Sequence, residues 1–289
     1  MTDFIQITGN KKDVLKARIN PDVIYNRFDL LYNETDWDLY DLKDLVVPVK
    51  IVDDHLIVGL YLVKADQGLL LEFFDFLFKK YDKKYIEIKH CYENLCDAEP
   101  YPYWHIELPK TKEDFDKTLS HRVRYNTKWY PKKMIENFGE YIITKYSAKD
   151  LNNEIMSLYL QWKHLSHNFI WDKQPMDYIQ YAGITDGYVM TIGNRICAIG
   201  FICDTGNNAY FENFSYDTEY KQYSPGMIVY YYIIIDMIKL HKKILYLSGG
   251  WLDYKKWYNG VLTYTFSGHF VNPKYKHHTF WWHLRHFKF

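Results

Sequence analysis

The sequence has no excess of charge. Lys and Arg together number 36, Asp and Glu also number 36, and the formal net charge at pH 7 is zero. Such a chain has no global field to recruit nucleic acid or an anionic membrane. Cysteine is scarce, with four residues at Cys91, Cys96, Cys197 and Cys203. Neither close pair has the two-residue spacing of a metal knuckle, so no metal is expected. The four read as reduced, mostly buried thiols of a cytosolic protein. The most apolar run, residues 227–235, stops at Asp236 and is far shorter than the roughly 20 residues of a membrane span. The first residues, MTDFIQITGNKKDV, carry no signal-peptide pattern. The expectation is a cytoplasmic chain with neither nucleic acid nor membrane as partner.

What the chain does have is aromatic side chains, 19% of the sequence, with 29 Tyr. Tyr combines apolar bulk with a polar tip and suits core edges and ligand clefts alike. The 289 residues suffice for two domains. Residues 45–52 and 56–63 alternate as a hairpin turning at Asp53 and Asp54, residues 68–81 read as an amphipathic helix, and 85–89 as a short strand. Pro100 and Pro102 break the chain before a strand that starts at Trp104. A long helical stretch, 112–138, carries Arg122, Arg124, Lys128, Lys132 and Lys133, with Pro131 expected to kink or end its first part. Its charges read first as a solvated face. The rhythm then repeats: a strand at 141–146, a helix at 150–167, strands at 187–192, 197–205 and 209–216, a helix at 226–242, and strands at 245–248 and 262–271. The fold class is α/β (α+β), with mixed sheets flanked by helices. The C-terminal KYKHHTFWWHLRHF reads as a packed aromatic tail.

The most informative stretch is 209–231, AYFENFSYDTEYKQYSPGMIVYY. An alternating strand runs into a polar turn holding Ser224, Pro225 and Gly226, and an apolar helix follows at once. The first N–H groups of a helix lack intrahelical partners, and the macrodipole adds about half a positive charge there, so such a turn is an anion cradle.

The order of these elements resembles the GNAT acyltransferase superfamily. Its coenzyme A motif, Gln/Arg-x-x-Gly-x-Gly/Ala, falls on residues 221–226: Lys221 takes the basic place, Ser224 the first Gly and Gly226 the second. Ser for Gly and the N–H lost at Pro225 are departures. The SPG wording, the later Tyr254-Lys255-Lys256-Trp257-Tyr258-Asn259-Gly260, and the basic stretch 119–139 resemble the FemAB-like and cellulose-biosynthesis-type branch. That resemblance implies tandem GNAT-like halves: a degenerate N-terminal domain at 1–140 and an acyltransferase domain with the CoA turn at 141–289. Tandem halves that pack on one another imply a monomer.

The resemblance also implies a chemistry. An amine attacks the thioester of acyl-CoA and a thiolate leaves. Lys221, Gln222, Tyr223, Ser224, Gly226 and Met227 are the implied CoA-binding set, acting mainly through backbone N–H groups. Glu212, read as in register with Tyr210, Phe214 and Tyr216, is the candidate base, since a carboxylate set among aromatics suits that task. Tyr254 is the candidate acid for the departing sulfur, and Asp253 a candidate to hold a substrate hydroxyl or amine. Arg122, Arg124, Lys128, Tyr216 and Lys255 are the substrate-binding candidates. The expected acceptor is the amine of a nucleotide-linked amino sugar, as in enzymes that decorate surface polysaccharide precursors. Two alternatives stay open: FemAB-type aminoacyl transfer from charged tRNA, and a non-catalytic GNAT-like binding module.

Overall fold

The computed structural model describes residues 4–7, 37–42, 45–60, 65–95 and 99–278. The aromatic tail from residue 279 onward and Cys96 lie outside them. Contacts divide the chain into two compact units, one made of Met1–Pro102 and Tyr264–Phe289, the other of Tyr103–Thr263.

In the first unit, β1 (Ile5–Gln6), β2 (Trp37–Leu42), β3 (Leu45–Ile51) and β4 (His55–Val58) are successive antiparallel neighbours. Helix α1 (Gln67–Tyr81) then crosses over to β5 (Tyr85–Cys91), which runs parallel to β4. The helix starts where Asp66 accepts from the Leu69 N–H (2.8 Å) and stops at Asp82 in the left-handed region. Its Phe73, Phe74 and Leu77 pack on the Val49, Leu56 and Ile86 face of the strands. The far side of β5 is completed by β12 (Val261–Val271), antiparallel and late in the sequence.

The second unit repeats that order around its own core. β7 (Tyr141–Ser147), β8 (Asp186–Ile192), β9 (Arg195–Asp204) and β10 (Asn208–Tyr216) are antiparallel neighbours. Helix α6 (Pro225–Lys239) crosses over to β11 (Ile244–Gly249), parallel to β10, and β6 (Pro100–Glu107) closes the far side of β11. The remaining helices are α2 (Lys112–Thr118), α3 (His121–Phe138), α4 (Asn153–His167), α5 (Asp177–Ala182) and α7 (Asp253–Trp257). Along β9 the side chains alternate: Ile199 and Phe201 pack with α4, while Ala198 and Ile202 pack with α6, so the two helices cover opposite faces.

Two local readings are corrected and a third, at Pro131, is narrowed. Pro100 and Pro102 sit inside β6, at its start, where a missing donor costs little. Pro131 lies in the interior of α3 without ending it. The break in 112–138 falls instead at Leu119 and Ser120, where the Ser120 hydroxyl accepts from the Val123 N–H and begins a new helix.

Candidate functional site

β10 and β11 start as a parallel pair and then part. Their pairing covers Asn208↔Ile244, Ala209↔Leu245 and Tyr210↔Tyr246, and stops there although both strands continue. The last rung is marked by the stacked Tyr210 and Tyr246 rings, 4.5 Å between centroids. Just beyond it β10 bulges between Phe211 and Asn213. The Ser248 hydroxyl donates to the Phe211 carbonyl (3.2 Å) across the opening. A bulge inserts one residue and resets the faces that follow.

Glu212 is that inserted residue. It therefore stays on the face of Tyr210 and is not in register with Phe214 and Tyr216 as simple alternation predicts. Phe211 and Phe214 both meet Tyr230 of α6 (4.9 and 6.4 Å between centroids), whereas the Glu212 charge acts on Tyr159 and Lys163 of α4.

A cleft of about 1060 Å³ opens around the end of β10. Its walls are the end of α4 with the chain after it (Lys163 to Ile170), Asn213 to Tyr216, Lys221, Leu252 and Tyr254, and among the described residues no Asp or Glu lines it. Three residues expected from sequence meet there: Tyr216, Lys221 and Tyr254. Tyr254 lies edge-on to Phe214 (5.7 Å) and Tyr230 (5.4 Å), and burial holds its pKa well above that of a free phenol. It is a protonated hydroxyl at neutral pH.

The turn beside the cleft has an unusual backbone. Ser224 is left-handed (φ 49°, ψ 52°) and caps α6 with its backbone alone. The Ser224 N–H donates to the Lys221 carbonyl (3.1 Å), and the Met227 and Ile228 N–H groups both turn to the Ser224 carbonyl (2.9 and 3.2 Å). With no N–H at Pro225, the Gly226 amide is the one in this turn that is not among those donors. Gly226 itself is set by close packing. A Cβ there would stand 2.5 Å from the Phe214 ring and 3.0 Å from the Tyr216 ring.

The other candidates lie elsewhere. Lys255 is 1% exposed, and its Nζ donates to the Ser248 (3.2 Å) and Gly249 (2.5 Å) carbonyls, locking the end of β11 to α7. Asp253 and Gln222 are exposed. Tyr223 meets the Phe138 ring edge-on at 5.2 Å. Met227 lines a separate groove of about 310 Å³ with Tyr130, Tyr231 and Tyr258. Arg122, Arg124 and Lys128 are exposed on α3 and do not line the cleft. Asp217 caps the turn at Glu219 (3.0 Å) and pairs with Arg195 (2.7 Å).

Sequence reading missed Lys163 and Ser215. Lys163 is half-buried and continues, at helical spacing, the buried stripe of α4 that includes Met156, Tyr159 and Leu160. A lysine at a core position of an amphipathic helix is the signal that identifies it. Ser215 is 3% exposed, and its Oγ has no hydrogen-bond partner among the described residues. Among those residues no group of three His, Cys, Asp or Glu is placed to hold a metal ion. None of the described helices is long and apolar enough to cross a membrane.

Solved structures share this fold. FemX superposes with a TM-score of 0.66 at 10% identity, over 95% of this chain and 99% of its own. A conserved protein of unknown function from Bacteroides thetaiotaomicron does so with a TM-score of 0.63 at 14% identity, over 94% of this chain and 100% of its own. L-PGS from Bacillus licheniformis gives 0.58 at 12% identity, over 90% and 92%. No curated protein gives a significant sequence match. Residues 182–256, which lie within the second unit and hold β8 to β11, the parted strands and the turn before α6, match the Acetyltransferase (GNAT) domain family.

Proposed function

We propose that the chain is an N-acyltransferase that moves an acyl group from acyl-CoA to the amine of a nucleotide-linked amino sugar by direct attack. One observation carries this reading: β10 and β11 part beside the α6 turn, over a cleft lined by lysines and, among the described residues, by no carboxylate. An extended thioester can add to the open edge between parted strands. Its diphosphate would lie at the α6 N-terminus, held by Lys221, the Gly226 N–H and the Ser224 hydroxyl, which does not cap the helix. The departures from the family motif leave fewer backbone donors, so the Lys221 charge has the larger share of the work.

An amine with a pKa of about 8 is already partly neutral at pH 7 and can attack the thioester carbonyl without a strong base. Glu212 does not line the cleft, so its role as base would run through water. As the C–S bond breaks, Tyr254 is the hydroxyl available to give the thiolate a proton. Arg122, Arg124 and Lys128 are exposed and free to meet the nucleotide outside the cleft. A second reading, aminoacyl transfer from charged tRNA in the FemAB manner, draws on the likeness of fold to FemX. Zero net charge counts against it.

The test is thiol release from a panel of acyl-CoA thioesters with nucleotide-linked aminohexoses. Turnover that needs both substrates supports the proposal. Absence of turnover together with retention on tRNA that is lost with salt would favour the second reading. No stabilisation by CoA and no retention on tRNA would leave only a binding module.

A further inference from the structure

The cleft has cations on both sides of the sheet. Lys221 stands in the turn that leads into α6, and the donor diphosphate accounts for it. Lys163 projects from α4, which covers the opposite face, and a thioester laid against α6 leaves it unexplained. Its setting is built rather than incidental. Its Nζ donates to the Tyr178 hydroxyl (2.6 Å) and lies 3.4 Å from that of Tyr159. The Phe169 ring centroid is 4.5 Å away, so the ammonium sits in an aromatic cage. An ammonium has three donors, and the two phenols occupy two of them. Burial lowers the Lys163 pKa, and the Glu212 carboxylate opposes that shift and favours the cation. Ser215, with its buried and unpartnered hydroxyl, lines the same cleft as Lys163. A buried hydroxyl left unpaired in a folded protein marks a place where a partner belongs.

We infer that Lys163 and Ser215 form the acceptor end of the cleft and receive an oxyanion, a carboxylate or a phosphate ester, carried by the molecule whose amine is acylated. This rests on the acyl-transfer reading above and narrows it: the acceptor brings its own negative charge to the α4 face while the donor's charge stays at the α6 turn. Selectivity then follows, because a neutral amine would leave the third Lys163 donor and the Ser215 hydroxyl unmet.

The experiment is thermal stabilisation of the full chain, titrated with inorganic phosphate and with acetate at constant ionic strength in chloride. The background is Lys221→Met, which removes the donor-end charge. One of the two oxyanions is expected to stabilise this protein beyond chloride. Adding Lys163→Met should weaken its apparent affinity by about ten- to a hundredfold, the worth of one charge-assisted hydrogen bond, and Lys163→Arg should restore most of it. A response to phosphate alone identifies a phosphate-ester acceptor, and a response to acetate alone a carboxylate. Should Lys163→Met fail to fold, Ser215→Ala carries the same comparison. No stabilisation by either anion, or unchanged affinity in the variant, overturns the inference. CoA is titrated in parallel against the wild type. If CoA fails to stabilise it, the acyl-CoA reading falls, and the oxyanion result still decides this one.

Discussion

Lys255 places an amine in a buried site whose nearest partners are two backbone carbonyls. Desolvation pushes its pKa down from 10.5 to about 8. Between those values the unfolded chain holds a proton that the folded chain does not, so stability rises with pH in that window. Below about pH 8 both states are charged and the cost of burial is fully present. The size of the effect is up to about 3 kcal/mol, from 1.36 kcal/mol per pKa unit. Urea unfolding of wild type and Lys255→Met, compared point by point from pH 7 to 10.5, should show this gain in the wild type only. The comparison cancels the buried tyrosines, which titrate in both proteins. Gly226 is a second single-residue test. The Cβ of Gly226→Ala would press on the Phe214 ring, and overpacking of this kind costs about 1–3 kcal/mol. A urea midpoint unchanged by the substitution would mean that α6 does not start against β10 in this way.

At the scale of elements, the Ser224 turn decides how α6 begins. A left-handed φ is tolerated by Gly and strained for a β-branched residue. Ser224→Gly should stay within about 0.5 kcal/mol of wild type, and Ser224→Val should lose about 1–2 kcal/mol. Calorimetric melting of both variants checks the ordering. The element order itself was legible in the sequence because alternation and helical period are strong along 141–271. The turn was legible too, since few residue strings other than a polar stretch ending in Ser-Pro-Gly stop a strand and start a helix. The bulge at Glu212 was not. Nothing in YFENFSY marks which residue is extra, and one inserted residue moves every later side chain to the other face. The Glu212 register failed for that reason alone. Lys163 was hidden differently: its charge hid its place on the apolar stripe of α4, where only the spacing from Met156 and Tyr159 shows it.

At the scale of the molecule, every wall of the cleft belongs to the second unit, residues 103–263. CoA should therefore slow amide hydrogen exchange around 163–170 and 213–227 and leave α1 and the strands it covers unchanged. Mass spectrometry of the exchanged chain reads this directly, and protection confined to the first unit would place the donor site elsewhere.

The strand that completes the first unit, β12, comes last in the sequence among the described strands. During synthesis β5 must wait for β12 while roughly 170 intervening residues emerge, on the order of ten seconds at cellular elongation rates. For that interval one margin of the nascent sheet is an open template for any other chain on the same messenger. Yield in cells should thus depend on how quickly the ribosome reaches residue 271, and slow codons placed between 103 and 263 should turn soluble product into aggregate.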